Sequence, residues 1–343
     1  MYSNQEDNGG SMPSAGELSA FNAQAMTDVV RRFPRPNLVG KTLFPEKPWA
    51  LKTVTWEIVS GTRTRAKFSP KGSEAHISPL LPRSKVSTEL LTIREKKTID
   101  EATRQFIAKP GSYDQPYGDQ AVADELESLD RMVENAREWA RFQALVNGQL
   151  DIQQADPAYY VKVDYNFDSD HKATPSTLWS TTATATPLTD ILDWRKLISR
   201  DTGGVTDVQG YLNWTVMNYL VQNTAVQTLL QYTVGNQLAS EGSINRLGGV
   251  DLVVYDVNYV DDAGAVQQYI PDNKFLLIAK TGMGYEYVGP TDTPSDSGLP
   301  QTTIGKVAYS WTTKDPVDTW ILVGTSFIPA IVNPDNIVSA TIA

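Results

Sequence analysis

Apolar and polar positions change their period several times along this chain. From Lys52 to Val59 they alternate, with Val54, Trp56 and Ile58 on one side and Thr53, Thr55 and Glu57 on the other. A period of two is the mark of a half-buried strand. Val86–Ile93 predicts a second strand, so the two make an extended finger. Between them Ser60–Lys85 carries Gly61, Gly72, Pro70, Pro79 and Pro82. A stretch this long and irregular reads as a projection that docks on another chain. A two-stranded finger is marginal alone and needs a surface to lie on.

The period then becomes helical. Val122, Leu126, Leu129, Val133, Ala136 and Ala140 form a single apolar stripe, which predicts one helix over residues 119–147. Asp119, Asp124, Glu125 and Glu127 crowd its start, Arg137 and Arg141 its end, and Gly148 stops it. All of these suit the helix dipole. Downstream, QLDIQ and YYVKVDYNF read as strands and SDHKATPSTLWSTTATATP as a Ser/Thr-rich linker. Leu188–Ile198 and Trp214–Val221 have helical spacing, with Asn213 placed as an N-cap. VDLVVYDVNYV, a DDAG turn, AVQQYI and KFLLIA predict a hairpin and a buried strand. TDTPSDSGLP reads as a loop, and TWILVGTSFIPAIV as an apolar strand broken at Pro329. Upstream, residues 1–20 are small and polar and are expected to be mobile. Prolines 34, 36, 45 and 48 predict an extended arm over Arg31–Trp49.

Composition narrows the classes. A chain of 343 residues exceeds what one core usually supports, so two or more packed units are expected. An apolar content of 41% with 20% charged residues reads as folded. No apolar run is long enough to suggest a membrane span, and MYSNQEDNGGSMPSAGELSAF lacks the regions of a secretory signal. With no cysteine, disulfides, thiolate metal sites and cysteine nucleophiles are excluded, and a reducing cytoplasm fits. The net charge of −10 is unevenly placed: residues 1–110 hold 17 Lys+Arg against 11 Asp+Glu, and residues 111–343 hold 13 against 29. A globally acidic chain is a poor general binder of nucleic acid. A basic third followed by an acidic remainder lets copies of the chain attract one another.

Candidate chemistry is thin. His76 and His171 both read as solvated loop histidines, unlike the oriented base of a Ser–His–Asp triad. The GTSFI stretch at Gly324 lacks the second glycine of a nucleophile elbow. Asp201-Thr202-Gly203 copies an aspartic-protease tripeptide once, without the apolar strand that precedes it there, and reads as a helix-ending turn. Asp256, Asn258, Asp261 and Asp262 fall short of a calcium loop, and GMGYEYVG has the wrong spacing for a dinucleotide. Asn213-Trp214-Thr215 is a sequon without secretion. The eight Trp and fifteen Tyr are scattered as core or interface residues would be. No catalytic, cofactor or metal site is expected, and the chain does not read as an enzyme.

The order of parts carries more: arm, finger, charged helix, small strand pair, α/β unit, return strand. With NLVGKTLFPEKP, KTVTWEI, AVADELESLDRMVENAREWARFQALVNGQLDIQ and VKVDYNF, it resembles the major capsid protein of tailed phages. VDLVVYDVNYVDDAGAVQQYIPDNKFLLI and SWTTKDPVDTWILVGTSFIPAIVNPDNIVSATIA extend the resemblance to the lambda-like protein E family of the HK97 fold. The resemblance implies an α+β fold with an N-terminal arm over 1–47, a finger (E-loop) over 48–100, and a peripheral domain over 101–180. That domain would contain the spine helix 119–147. An axial domain over 181–312 and a return strand with a C-terminal strand over 313–343 would follow. It also implies hexamers and pentamers of the chain itself in an icosahedral head. The head would be assembled in the bacterial host cytoplasm around double-stranded DNA, with a scaffolding protein, a portal and a decoration protein. Within such a shell, Arg63, Arg65, Lys67 and Lys71 of the finger are expected to meet Asp119, Asp124, Glu125 and Glu127 of a neighbour. Lysines and asparagines in the finger and C-terminus are not expected to cross-link covalently, because the finger is a solvated setting in which amines stay charged. A β-rich sugar-binding or sugar-cleaving protein and a phage tail-tube subunit are the alternatives.

Overall fold

The computed structural model describes residues 23–33, 38–59, 65–77, 83–99, 115–154, 159–233, 243–294, 301–315 and 318–343. Residues 1–20, expected to be mobile, lie outside this set. Helix α1 (Ala23–Arg32) opens it. The stretch expected to be an extended arm is not wholly extended, because one helical turn, α2 (Val39–Leu43), fits between the prolines at 36 and 45. Strand β1 (Glu46–Pro48) follows.

The finger is a ribbon of β2 (Thr53–Val59) and β3 (Arg83–Glu89), in register from Thr53 opposite Glu89 to Val59 opposite Arg83. The second strand foreseen over Val86–Ile93 is in fact two. Leu90 donates its N–H to Lys52 O and closes the ribbon, after which β4 (Leu91–Ile99) leaves it for a different sheet. Buried Leu90 and Leu91 mark the changeover. Beyond it lies α3, Gln115–Asn147, whose 33 residues make a rod of about 50 Å. Gly148 follows at φ +66 and ends it. Strands β5 (Gln149–Gln154) and β6 (Tyr159–Asp164) pair as a second ribbon.

The segment read as a linker is packed instead. Trp179 is fully buried and its indole N–H donates to Asp190. Its ring lies 5.7 Å from Trp194 and 5.2 Å from Phe275. His171, read as solvated, is 1% exposed: Nδ1 lies 2.7 Å from Ile337 O and Nε2 3.2 Å from Asp201. Helix α4 (Pro187–Thr202) ends at the Asp201-Thr202-Gly203 turn, with Gly203 at φ +78. Strand β7 (Val208–Leu212) leads to α5 (Trp214–Gln222), capped by Asn213 accepting from Val216 N–H. Asn223 repeats the device for α6 (Thr224–Thr233) by accepting from Val226 N–H.

Strands β8 (Arg246–Leu247), β9 (Val250–Val254), β12 (Lys274–Ala279) and β18 (Ile337–Thr341) join β7 in a sheet of order β18-β12-β7-β9-β8. Between β9 and β12 stands the hairpin of β10 (Asn258–Val260) and β11 (Val266–Gln268). TDTPSDSGLP begins as a strand rather than a loop. Strand β14 (Pro290–Thr293) pairs with β15 (Gln301–Ile304), and residues 295–300 lie outside the described set. The second large sheet centres on β17 (Thr319–Ile331). It pairs with β16 (Val307–Thr312) from Thr319 to Gly324, with β4 from Thr319 to Phe327, and with β13 (Gly284–Val288) from Phe327 to Ile331, and β13 in turn carries β1.

Strand β17 runs straight through Pro329, where a break was expected. Pairing with β4 ends at Phe327, and Pro329 O accepts from Tyr165 O–H at 2.6 Å. A strand residue's N and O point to the same side, so the missing N–H faces Tyr165 and no ladder bond is lost. Helices α1 and α3 cover this sheet, sharing a core of Met26, Val30, Leu126, Leu129, Ile321 and Val323.

Candidate assembly interface and its buried anchor

The finger is anchored at its base and free at its tip. Alternation in β2 sends Val54, Trp56 and Ile58 inward to 0%, 4% and 2% exposure. Trp56 stacks on Tyr165, and its indole N–H donates to Ile331 O at 3.1 Å. On the outer face Arg83 pairs with Glu57 at 2.7 Å. Residues 65–77 are exposed throughout, turning at Pro70–Ser73 with Gly72 at φ +92. Phe68 is 91% and Ile77 88% exposed, and the Arg65 guanidinium lies over the Phe68 ring.

Of the residues expected to make the contact between copies, Arg65, Lys67 and Lys71 sit on this tip. Arg63 lies outside the described residues, as does the side chain of Asp119. Asp124 accepts from Gln120, Glu125 pairs with Lys97 at 2.8 Å, and Glu127 pairs with Arg131 at 2.6 Å. Among the described residues, no ion pair joins the tip cations to these carboxylates within one chain.

The structure places a different set of charges together. Helix α3 meets the sheet through a buried ionic layer that was not foreseen. Arg137 reaches Glu286 of β13 at 2.6 Å, Glu134 at 2.8 Å and Glu46 of β1 at 2.8 Å. Arg141 takes Glu138 at 2.9 Å and Glu286 at 2.6 Å. Lys306 joins Glu134 at 2.6 Å and Asp130 from the other side. Glu138 also accepts from Gly40 N–H and Tyr255 O–H, both at 2.8 Å. One helix is thereby tied to α2, β1, β13, the start of β16 and the loop after β9.

The expected role of Arg137 and Arg141 as cations suiting the dipole at the helix end is therefore corrected: they are 2% and 0% exposed and paired with buried carboxylates. The sequence held a signal. Val133 plus four is Arg137, so arginine occupies the apolar stripe itself, and ENAREWAR repeats a Glu–Arg pair at i, i+3. Burial pushes the Glu134 carboxyl up, but Arg137 and then Lys306 outweigh it and hold it down at about 2. Burial disfavours the charged Arg137, yet Glu286 and Glu134 more than compensate and raise it. Tyr255 is pushed up by its own burial and then by Glu138.

Chemistry of other kinds finds little support in the geometry. Among the described residues no group of three or more His, Asp or Glu is placed to hold a metal ion. Among the described residues, no helix is long and apolar enough to cross a membrane either. Asn333 and Asn336, the C-terminal amides, donate to Gly282 O and Thr281 O and fasten the turn beside β13.

Comparison with known proteins identifies the arrangement. The family model of phage major capsid protein E matches residues 22–342. No curated protein matches the sequence. Among solved structures, one described as a capsid protein of a prophage of E. coli CFT073 is similar at a TM-score of 0.68 and 15% identity. It covers 94% of this chain and 99% of that one. A phage-related protein from Bordetella bronchiseptica RB50 gives 0.58 at 14% identity, covering 93% and 96%. The mature capsid of bacteriophage PhiM1 gives 0.51 at 12%, covering 98% and 91%. At these identities the likeness is one of fold.

Proposed function

This chain belongs to the phage major capsid protein E family, and from that premise we propose that its copies form hexamers and pentamers of an icosahedral head. The head encloses the double-stranded DNA of a tailed phage and is assembled in the cytoplasm of the bacterial host. The chain is a structural capsid protein of the virion, with the α+β HK97 fold. In the shell, residues 1–47 serve as arm, 48–100 as finger, 101–180 as peripheral domain, 181–312 as axial domain and 313–343 as return strands. A scaffolding protein, a portal and a decoration protein complete the particle. The observation that supports this reading is the finger: a ribbon anchored through Trp56, with a basic, apolar tip exposed at every described position from 65 to 77.

Opposite charge steers the tip. Arg63, Arg65, Lys67 and Lys71 of one copy are drawn to the acidic start of a neighbour's α3, where Asp119, Asp124, Glu125 and Glu127 lie. An exposed pair is worth only about 0.2–1 kcal/mol, but every subunit repeats the contact. Charge reversal at Arg63 and Arg65 is expected to block assembly, or make it salt-sensitive, while the subunit stays folded. Normal particles by sedimentation from that double variant would sink the reading of the finger. The DNA is enclosed and not gripped, because the balance of −16 over residues 111–343 repels phosphate. Tight sequence-independent binding of DNA by the soluble subunit at physiological salt would count against it.

A further inference from the structure

The β10–β11 hairpin presents a surface that the described residues of its own chain leave uncovered. Its base is fastened to α3: Tyr269 O–H donates to Asn135 O at 3.3 Å, and the Tyr269 ring lies 5.9 Å from Phe142 and 5.0 Å from Tyr259. Its tip is open. Val260 and Val266 sit opposite each other across the two strands and are 66% and 68% exposed. Two facing apolar side chains are thus left in solvent on a short hairpin whose neighbouring turn residues are polar.

Charge says what kind of surface this is. No lysine or arginine occurs from Val250 to Asn273, whereas Asp251, Asp256, Asp261, Asp262 and Asp272 do. Asp261 is used inside the turn, accepting from Ala263 and Ala265 N–H at 3.0 and 2.8 Å. Asp262 is exposed and stands near another carboxylate, Glu95 of β4. Burial, and then Asp262, push that carboxyl up. The hairpin tip is thus two valines beside negative charge that like charge makes worse.

The finger tip is its complement. Residues 65–77 place Phe68 and Ile77 in solvent among Arg65, Lys67 and Lys71, with Glu74 as the one carboxylate. The start of α3 offers less, since Glu125 and Glu127 already have cations of their own chain.

We propose that the finger tip of one subunit seats on the β10–β11 hairpin of a second copy, with Phe68 and Ile77 covering Val260 and Val266, and Lys67 and Lys71 facing Asp262 and Glu95. This rests on the reading that fingers dock between copies, and it names the seat: the acidic helix start steers, and the hairpin receives.

The chain has no cysteine, so an engineered pair reports without background. Shells of a Phe68→Cys, Val260→Cys variant, oxidised and run on a non-reducing denaturing gel, are expected to give a ladder of multiples. A ladder from Phe68→Cys, Asp124→Cys and none from the first pair would overturn the seat while keeping the finger contact. No ladder from either, in shells that form, would overturn both. Absence of shells from the unsubstituted protein would instead defeat the capsid reading. A charge swap covers the case in which cysteine variants do not assemble. Lys67→Glu with Lys71→Glu is expected to abolish shells, and adding Asp262→Lys to restore them. Failure of that restoration, with α3-start reversals succeeding in its place, would equally overturn the seat.

Discussion

Two regions of the molecule solve the burial of a helix on a sheet in opposite ways. In the lobe of α4, α5 and α6, helices meet the β7–β9–β12 sheet through Trp179, Ile191, Trp194, Ile198 and Phe275, an apolar interior. Where α3 meets the β13–β17 sheet, the interior instead contains Glu134, Arg137, Glu138, Arg141, Glu286 and Lys306. Apolar burial is forgiving, since any side chain of similar volume serves. A buried ion network gives little net stability but is intolerant of a missing partner. The α3 layer ties helix, arm strand and sheet together through paired charges, and β4, the continuation of the finger ribbon, belongs to the same sheet.

The largest expected effect breaks that layer. Glu286→Leu leaves Arg137 and Arg141 without their shared acceptor, and a loss of about 3–5 kcal/mol in chemical denaturation is expected. In the apolar lobe Ile191→Val is expected to cost only about 0.5–1.5 kcal/mol. Equal losses at both sites would erase the contrast.

Acid should separate the regions next. A carboxylate whose folded value is depressed adds stability that is complete above its ordinary range and is lost as pH falls through the folded value. For Glu134 that window runs from 4.5 down to about 2. The spectroscopic signal of Trp320, on the α3-covered sheet, is expected to report unfolding on acidification before that of Trp179. The reverse order would contradict the assignment.

The two smallest effects lie at the layer's exposed rim and outside it. Glu46→Gln removes a half-exposed contact to Arg137 and is expected to cost at most about 1 kcal/mol. Arg131→Ala removes an exposed i, i+4 pair with Glu127, for about 0.3–0.5 kcal/mol. Denaturation midpoints check both, and a loss at Glu46 as large as at Glu286 would mean that burial is not what sets the scale.

How far the sequence could be read follows the same division. The alternation of Val54, Trp56 and Ile58, the stripe from Val122 to Val133 and the Asn213 cap are local patterns, and each appears where its period says. Arg137 and Arg141 were misread because, by period alone, a cation near a helix end looks like a dipole partner. Only the fold brings Glu286 from nearly 150 residues away. His171 and Trp179 were hidden by a Ser/Thr-rich composition that says nothing about the sheet edge it covers. The changeover at Leu90 and the continuity at Pro329 depend on which strand lies alongside, and that is set by long-range pairing. Of the residues proposed for assembly, the tip cations were legible as a basic loop. The hairpin valines were legible as strand but not as surface.

The subunit is also expected to run as a single band near 37.8 kDa after boiling assembled particles. Asn333 and Asn336 are engaged in backbone contacts and the finger lysines are solvated, so a ladder of multiples from the unsubstituted protein would show a covalent link.

The most direct test of the whole is electron cryo-microscopy of the purified, assembled protein. Closed shells are expected, in which each finger crosses onto a neighbouring copy and α3 keeps Arg137 on Glu286. Monomers at assembly concentrations, or open tubes of stacked rings, would contradict this.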